Sequence, residues 1–161
     1  MQLIVLFGLP GAGKTYIGKI FKDLGFYFYD ADWDLPKEMQ AAIESKSPIT
    51  DSMRDLFFKN VIESSKKLTA KHKKIILAQT FIKEKYRLAF LRQFPNTRFI
   101  FVKTNTHLRK LRLSQRKDYP LDPEYVAKMC HIFEAPKIKH QTIINNAEGE
   151  GFVREQIQQY L

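Results

Sequence analysis

Gly8-Leu9-Pro10-Gly11-Ala12-Gly13-Lys14-Thr15 follows the apolar run Leu3–Phe7 and passes into Tyr16-Ile17, which continue in a helical pattern. The stretch fits G-x-x-x-x-G-K-[ST] without deviation, in the strand–loop–helix setting the motif requires. Gly8, Gly11 and Gly13 can take backbone angles closed to other residues and leave room for oxygen atoms. The loop can then turn its N–H groups inward as an anion cradle at a helix N-terminus. Lys14 places a cation on the β- and γ-phosphates, and Thr15 offers a hydroxyl to Mg²⁺. Gly8, Pro10, Gly11, Ala12, Gly13, Lys14, Thr15 and Tyr16 are therefore expected to bind a nucleoside triphosphate, ATP with Mg²⁺. The competing reading is a glycine-rich turn with an incidental lysine.

Outward from the loop, short apolar runs at Leu3–Phe7, Phe26–Tyr29, Ile75–Ala78, Arg98–Val102 and Thr142–Ile144 read as strands. Several are continuously apolar, as strands covered on both faces of a parallel sheet are. Helical patterns fall between them at Lys14–Leu24, Asp51–Lys71, Lys83–Phe94 and Thr106–Lys117. Gly25 suits the position after the first helix, and Pro95 ends the third. Asp122-Pro123 reads as an N-cap with proline at the first helical position, opening a helix that stops before Pro136. A closing helix is expected over about Gly151–Leu161. Strands alternating with helices predict an α/β layered fold, and no repeat or linker divides residues 1–161, so one domain is expected.

Composition narrows the function classes. The chain has 161 residues, 44% hydrophobic and 27% charged, which suits one soluble globular core. The single cysteine, Cys130, excludes a disulfide framework and reads as a core thiol. No apolar run approaches the ~20 residues of a membrane helix. Met1–Pro10 lacks a basic leading segment and its apolar run is cut short at Gly8, so we read a buried first strand and expect a cytoplasmic protein. The net charge of +10 favours anionic partners. One basic cluster, Lys66, Lys67, Lys71, Lys73 and Lys74, reads as a solvated helix end. A second comprises Arg109, Lys110, Arg112, Arg116 and Lys117. The histidines show no ligand spacing.

Asp30-Ala31-Asp32-Trp33-Asp34 places three carboxylates at alternate positions just after the second strand. Ligands of open α/β sheets bind beyond the carboxyl ends of strands. If this strand neighbours the first, the acids face the phosphate loop. Asp30 can then hold Mg²⁺ through water, and Asp32 can accept a proton from an attacking hydroxyl. A solvated acidic turn or a helix N-cap is the competing reading, and Asp34 lies nearer to it. Trp33, beside the acids, is a candidate for the wall of an acceptor pocket.

Together these landmarks resemble the gluconate kinase and shikimate kinase group of small P-loop kinases, gluconate kinase more closely. The likeness runs over nearly the whole chain. It rests on Gly8–Thr15, Asp30-Ala31-Asp32, Pro48-Ile49-Thr50-Asp51 with Arg54, and Thr80, Lys83 and Tyr86-Arg87. It continues through Arg112-Leu113 with Arg116 to Phe133-Glu134-Ala135-Pro136. The resemblance implies a three-layer fold with a five-stranded parallel sheet in order 2-3-1-4-5. It also implies an acceptor-binding region at about 31–71 and a lid at about 112–123. Arg109, Arg112 and Arg116 fall at helical spacings of three and four. Arginines of a closing lid can neutralise the transferred phosphoryl group. The competing reading is a solvated basic face, favoured for Arg109. Arg54 matches an arginine that holds the substrate carboxylate in shikimate kinases, a task suited to its forked donors. Thr80 and Lys83 resemble substrate-side positions. The sequence departs from the gluconate kinase pattern at Ala31, Leu35, Gln79, Thr80 and Tyr119, which alters the acceptor pocket.

The expected activity is ATP-dependent phosphoryl transfer to a hydroxyl of a small hydroxylated carboxylate, a sugar acid first. Lys14, Asp32 and Arg116 are the catalytic candidates, Thr15 and Asp30 the metal candidates. Asp32, Arg54, Thr80 and Lys83 are the acceptor candidates. A nucleotide or polynucleotide acceptor is one alternative, and an ATP-binding regulatory module without transfer is another. A nucleic-acid or membrane partner is not expected, and monomer and homodimer stay open.

Overall fold

The computed structural model describes residues 1–117 and 121–161. Its strands are β1 (Gln2–Phe7), β2 (Tyr27–Asp30), β3 (Lys74–Ala78), β4 (Arg98–Lys103) and β5 (Gln141–Ile144). They form a parallel sheet in order β2-β3-β1-β4-β5, as the resemblance implied. The helices are α1 (Lys14–Asp23), α2 (Lys37–Glu44), α3 (Asp51–Thr69), α4 (Glu84–Gln93), α5 (Thr106–Ser114), α6 (Pro123–Ile132) and α7 (Gly151–Gln158).

The unbroken apolar runs have a direct cause. Along β1, Leu3, Val5 and Phe7 enter one core cluster while Ile4 and Leu6 enter the other, so both faces are covered. Ile17, Ile20 and Phe21 of α1 and Val153 and Ile157 of α7 close one face. Phe57, Phe58 and Val61 of α3 with Tyr86 and Phe90 of α4 close the other. Gly18 lets α1 lie against β2, since a Cβ there would run into the Phe28 ring.

Local chemistry places the helix ends. The side chains of Thr50, Asn105 and Asp122 accept hydrogen bonds from the Met53, Leu108 and Tyr125 N–H groups. The observed helices are shorter than the pattern suggested. α5 stops at Ser114, so Arg116 lies beyond its end and does not share its face with Arg112. The competing reading of the acids as a capped turn is met in part, since Asp30 caps a 3₁₀ turn over Ala31–Asp34, while the short helix α2 was not expected. α2 buries only Met39 and Ala42, too sparse a pattern to stand out in sequence.

Two landmarks of the resemblance prove to be neighbours in space. Arg87 is fully buried and donates to the Phe81 carbonyl (2.9 Å), the Glu134 carbonyl (2.7 Å) and Glu84 (2.6 Å). Glu134 in turn accepts from the Glu84 N–H, and Glu84 accepts from the N–H groups of Lys137 and Ile138. Tyr86-Arg87 and Phe133–Pro136 are thus two sides of one buried brace, with the guanidinium also over the Phe7 and Phe133 rings.

Candidate active site

One cavity of about 460 Å³ opens beyond the carboxyl ends of the strands. Gly13, Lys14, Thr15, Asp30, Asp32, Arg54, Thr80, Arg112 and Arg116 all line it. The acidic triplet does not follow a neighbour of β1. β2 pairs with β3, not with β1. The acids reach the phosphate loop because β3 ends in the small Ala78, itself in the cavity wall, and the 3₁₀ turn carries Asp32 across it.

The loop is held from behind. Gly13 has φ of +96°, and a Cβ on it would strike the Asn145 amide. The Ala12 carbonyl accepts from the Asn145 amide (2.9 Å) and from the Thr104 hydroxyl (2.8 Å). Arg112 of α5 donates to the Asn145 carbonyl (3.0 Å) and the Thr104 hydroxyl (3.3 Å), which ties this arginine to the same network. Thr104 and Asn145 were not singled out in the sequence. Their position directly after β4 and β5 was the signal available.

Lys14 folds over the loop and donates to the carbonyls of Gly8 (2.8 Å) and Leu9 (3.0 Å). Burial lowers its pKa to about 8, against the opposing pull of Asp32 and Asp30. Asp30 caps the 3₁₀ turn, accepting from the Asp32 N–H (3.1 Å). Burial raises its pKa, and the Asp32 charge raises it further, while that backbone bond and Lys14 pull it down. A cation beside Asp30 would offset both penalties. Among the described residues no group of three His, Cys, Asp or Glu can hold a metal alone. Thr15 and Asp30 nevertheless fit Mg²⁺, which keeps several waters and shares phosphate oxygens.

Asp32 accepts from the Gln79 amide (2.8 Å), and the Gln79 carbonyl oxygen accepts from the Thr80 N–H. Gln79, noticed in the sequence only as a departure, orients the carboxylate. Arg54 donates to the Ile49 carbonyl (3.0 Å) through one nitrogen and lines the cavity.

Several expected site residues lie elsewhere. Lys83 is outside the cavity wall and pairs with Asp51 (3.0 Å). Trp33 is 64% exposed and packs on Phe28 and Tyr29 instead of lining the cavity. Tyr16 is 37% exposed and also outside the wall. Asp34 accepts from the Tyr29 hydroxyl. Arg109 is not on a solvated face: it is 7% exposed and donates to the Pro10 carbonyl (3.2 Å) and Cys130 Sγ (3.4 Å). It braces the loop from below, and Cys130 is half-buried beside it. Part of the expected lid, residues 118–120 with Tyr119, lies outside the described residues.

Comparison with known proteins bears on the fold and the family. The chain is 32% identical over 91 residues to a protein of Xenopus tropicalis described as a probable gluconokinase. That match covers 56% of this chain and 48% of the relative, so about half the length of each. The fold is similar to that of a sugar kinase from Janibacter sp., with a TM-score of 0.84 and 20% identity over 98% of this chain and 93% of the other. A gluconokinase from Sinorhizobium meliloti gives 0.75 and 19% over 99% and 95%. Among the described residues no helix is long and apolar enough to cross a membrane. Residues 3–136 match the family model described as AAA domain, and the chain belongs to that family, with the fold of a P-loop kinase.

Proposed function

We propose that this chain is a cytoplasmic ATP-dependent kinase that transfers the γ-phosphoryl group to a hydroxyl of a small hydroxylated carboxylate. The observation that carries the proposal is that Asp32, oriented by Gln79, shares one cavity with Lys14, Thr15 and Arg54. A carboxylate so held can take the proton of an acceptor hydroxyl, a task that a nucleotide-binding module without transfer does not have. In this reading residues 1–161 are one domain, with the acceptor region at 31–71 and a lid at 112–123.

The chemistry follows from the residues. The loop N–H groups of Gly8 to Thr15, with Pro10 and Ala12 shaping the turn, cradle the phosphates. Lys14 exchanges its carbonyl partners for phosphate oxygens. Arg112 and Arg116 add charge where it develops during transfer. Thr15 and Asp30 would hold Mg²⁺, which when bound neutralises phosphate oxygens. Arg54 meets the acceptor carboxylate with two parallel hydrogen bonds, and Thr80 flanks it. The acceptor oxygen bonds to phosphorus as the bond to the β-phosphate oxygen breaks and ADP leaves. The hydroxyl proton passes to Asp32.

A panel of sugar acids, polyols, nucleosides and an oligonucleotide, assayed for ADP release with ATP and Mg²⁺, tests this. We expect turnover with a hydroxy-carboxylate, reduced roughly 10²–10³-fold by Lys14→Ala, the scale of one lost donor to developing charge. Tight ATP binding without turnover on any member would reject the kinase. Activity on the oligonucleotide that falls steeply with salt would reassign the acceptor.

A further inference from the structure

We propose that the acceptor is amphipathic: a hydroxy-carboxylate with an apolar face or ring, not an open chain bearing oxygen on every carbon. This rests on the kinase reading and adds a substrate class to it. Beyond Asp32 the cavity wall includes Leu35, Met39, Ile43, Phe57, Phe58 and Met129. They come from the end of the 3₁₀ turn, from α2, from α3 and from α6, so the apolar surface wraps the acceptor space from several sides.

Among the described residues the polar groups there are few and partly engaged. The Gln79 amide is used at both ends, on Asp32 and on the Thr80 N–H. One nitrogen of Arg54 is held by the Ile49 carbonyl. Among the described residues, what this end of the wall offers a ligand is chiefly the Asp32 carboxylate, the Arg54 guanidinium, the Thr80 hydroxyl and Tyr125 of α6. That suffices for one reacting hydroxyl and one carboxylate. A polyol acid would press its remaining hydroxyls against phenylalanine and methionine, where each unpaired polar group is costly. A CH-bearing face in the same place gains from burial instead. The departures at Leu35 and Gln79 fall on this surface: one adds an apolar side chain, the other occupies Asp32.

The experiment compares D-gluconate with cis-3-hydroxycyclohexanecarboxylate on the full chain with ATP and Mg²⁺. Initial-rate kinetics are paired with ligand-observed NMR binding in the presence of a non-hydrolysable ATP analogue. We expect kcat/KM for the ring acid to exceed that for gluconate by about tenfold, what roughly two buried CH₂ groups supply. Met129→Gln and Ile43→Thr should each cut that ratio while the KM for ATP holds and the melting temperature falls only modestly. Gluconate used equally well or better, or a ratio that neither variant moves, overturns the proposal. Should neither compound be phosphorylated, tighter NMR binding of the ring acid supports the amphipathic acceptor and rejects the kinase reading. Equal or absent binding rejects the acceptor.

Discussion

The two sides of the cavity are built by opposite means. On the phosphate side the shape lies in the backbone. Gly13 takes a positive φ, the Ala12 carbonyl is pinned by Thr104 and Asn145, and Lys14 rests on the carbonyls of Gly8 and Leu9. On the acceptor side the shape lies in side chains carried by α2, α3 and α6. Phosphate is the same in every nucleotide, so a backbone cradle serves it whatever the acceptor. An acceptor must be read by its own outline, and side chains can change that outline without disturbing the sheet. The half-buried Leu35, Ile43 and Met129 can be replaced at modest cost, whereas a Cβ at Gly13 collides with the frame.

The sharpest break of this division is at Asp32, which faces both sides. Asp32→Asn keeps the shape and the contact with Gln79 but cannot take a proton. We expect kcat to fall by roughly 10²–10⁴, the range for a lost general base, with ATP affinity within about twofold. Steady-state kinetics with isothermal titration of an ATP analogue measure both. If affinity falls as far as kcat, Asp32 belongs to the donor side as a metal residue.

Arg54→Ala tests the acceptor side alone. Loss of hydrogen bonds to a charged group costs about 1.5–3 kcal/mol, so the acceptor KM should rise about 10–100-fold with the KM for ATP unchanged. A rise in both constants would mean that Arg54 acts on closure of the site and not on the acceptor.

The same division explains what could be read without a structure. The loop was legible because its residue types are dictated by backbone geometry that any phosphate cradle needs. The sheet was legible because β1 and β3 carry apolar residues on both faces. Asp30 and Asp32 were legible as carboxylates at a strand end. The rest depends on contacts distant in sequence. Nothing local marks Lys83 as the partner of Asp51, Arg109 as a brace under Pro10, or Arg87 as the partner of Glu134. Trp33 stands next to the acids in sequence, yet the 3₁₀ turn points it onto Phe28 and Tyr29. α2 has too few buried positions to show a period, and with it the apolar acceptor wall went unseen.

The smallest effect sets the supports of the two sides against each other. The Ala12 carbonyl of the phosphate loop is pinned by neutral groups, the Thr104 hydroxyl and the Asn145 amide. The brace beside the acceptor wall is ionic, with Glu84 on the buried Arg87 and on two backbone N–H groups. Burial pushes the Glu84 pKa up, but the hydrogen bonds from Arg87, Lys137 and Ile138 outweigh it and hold the pKa below the usual value. A depressed folded pKa means that the unfolded chain binds more protons in acid. The contribution is therefore complete above the unfolded glutamate pKa of about 4.3 and is lost as pH falls through the folded value. Glu84→Gln should cost about 1–2 kcal/mol of stability near neutral pH, by the loss of charge-assisted hydrogen bonds. Its deficit against the parent chain should shrink as the pH is lowered below about 4. Chemical denaturation of both proteins across that range measures the difference. A deficit that stays constant through the acid range would show that the carboxylate acts by shape and not by charge. Both sides of the cavity would then rest on pH-independent supports.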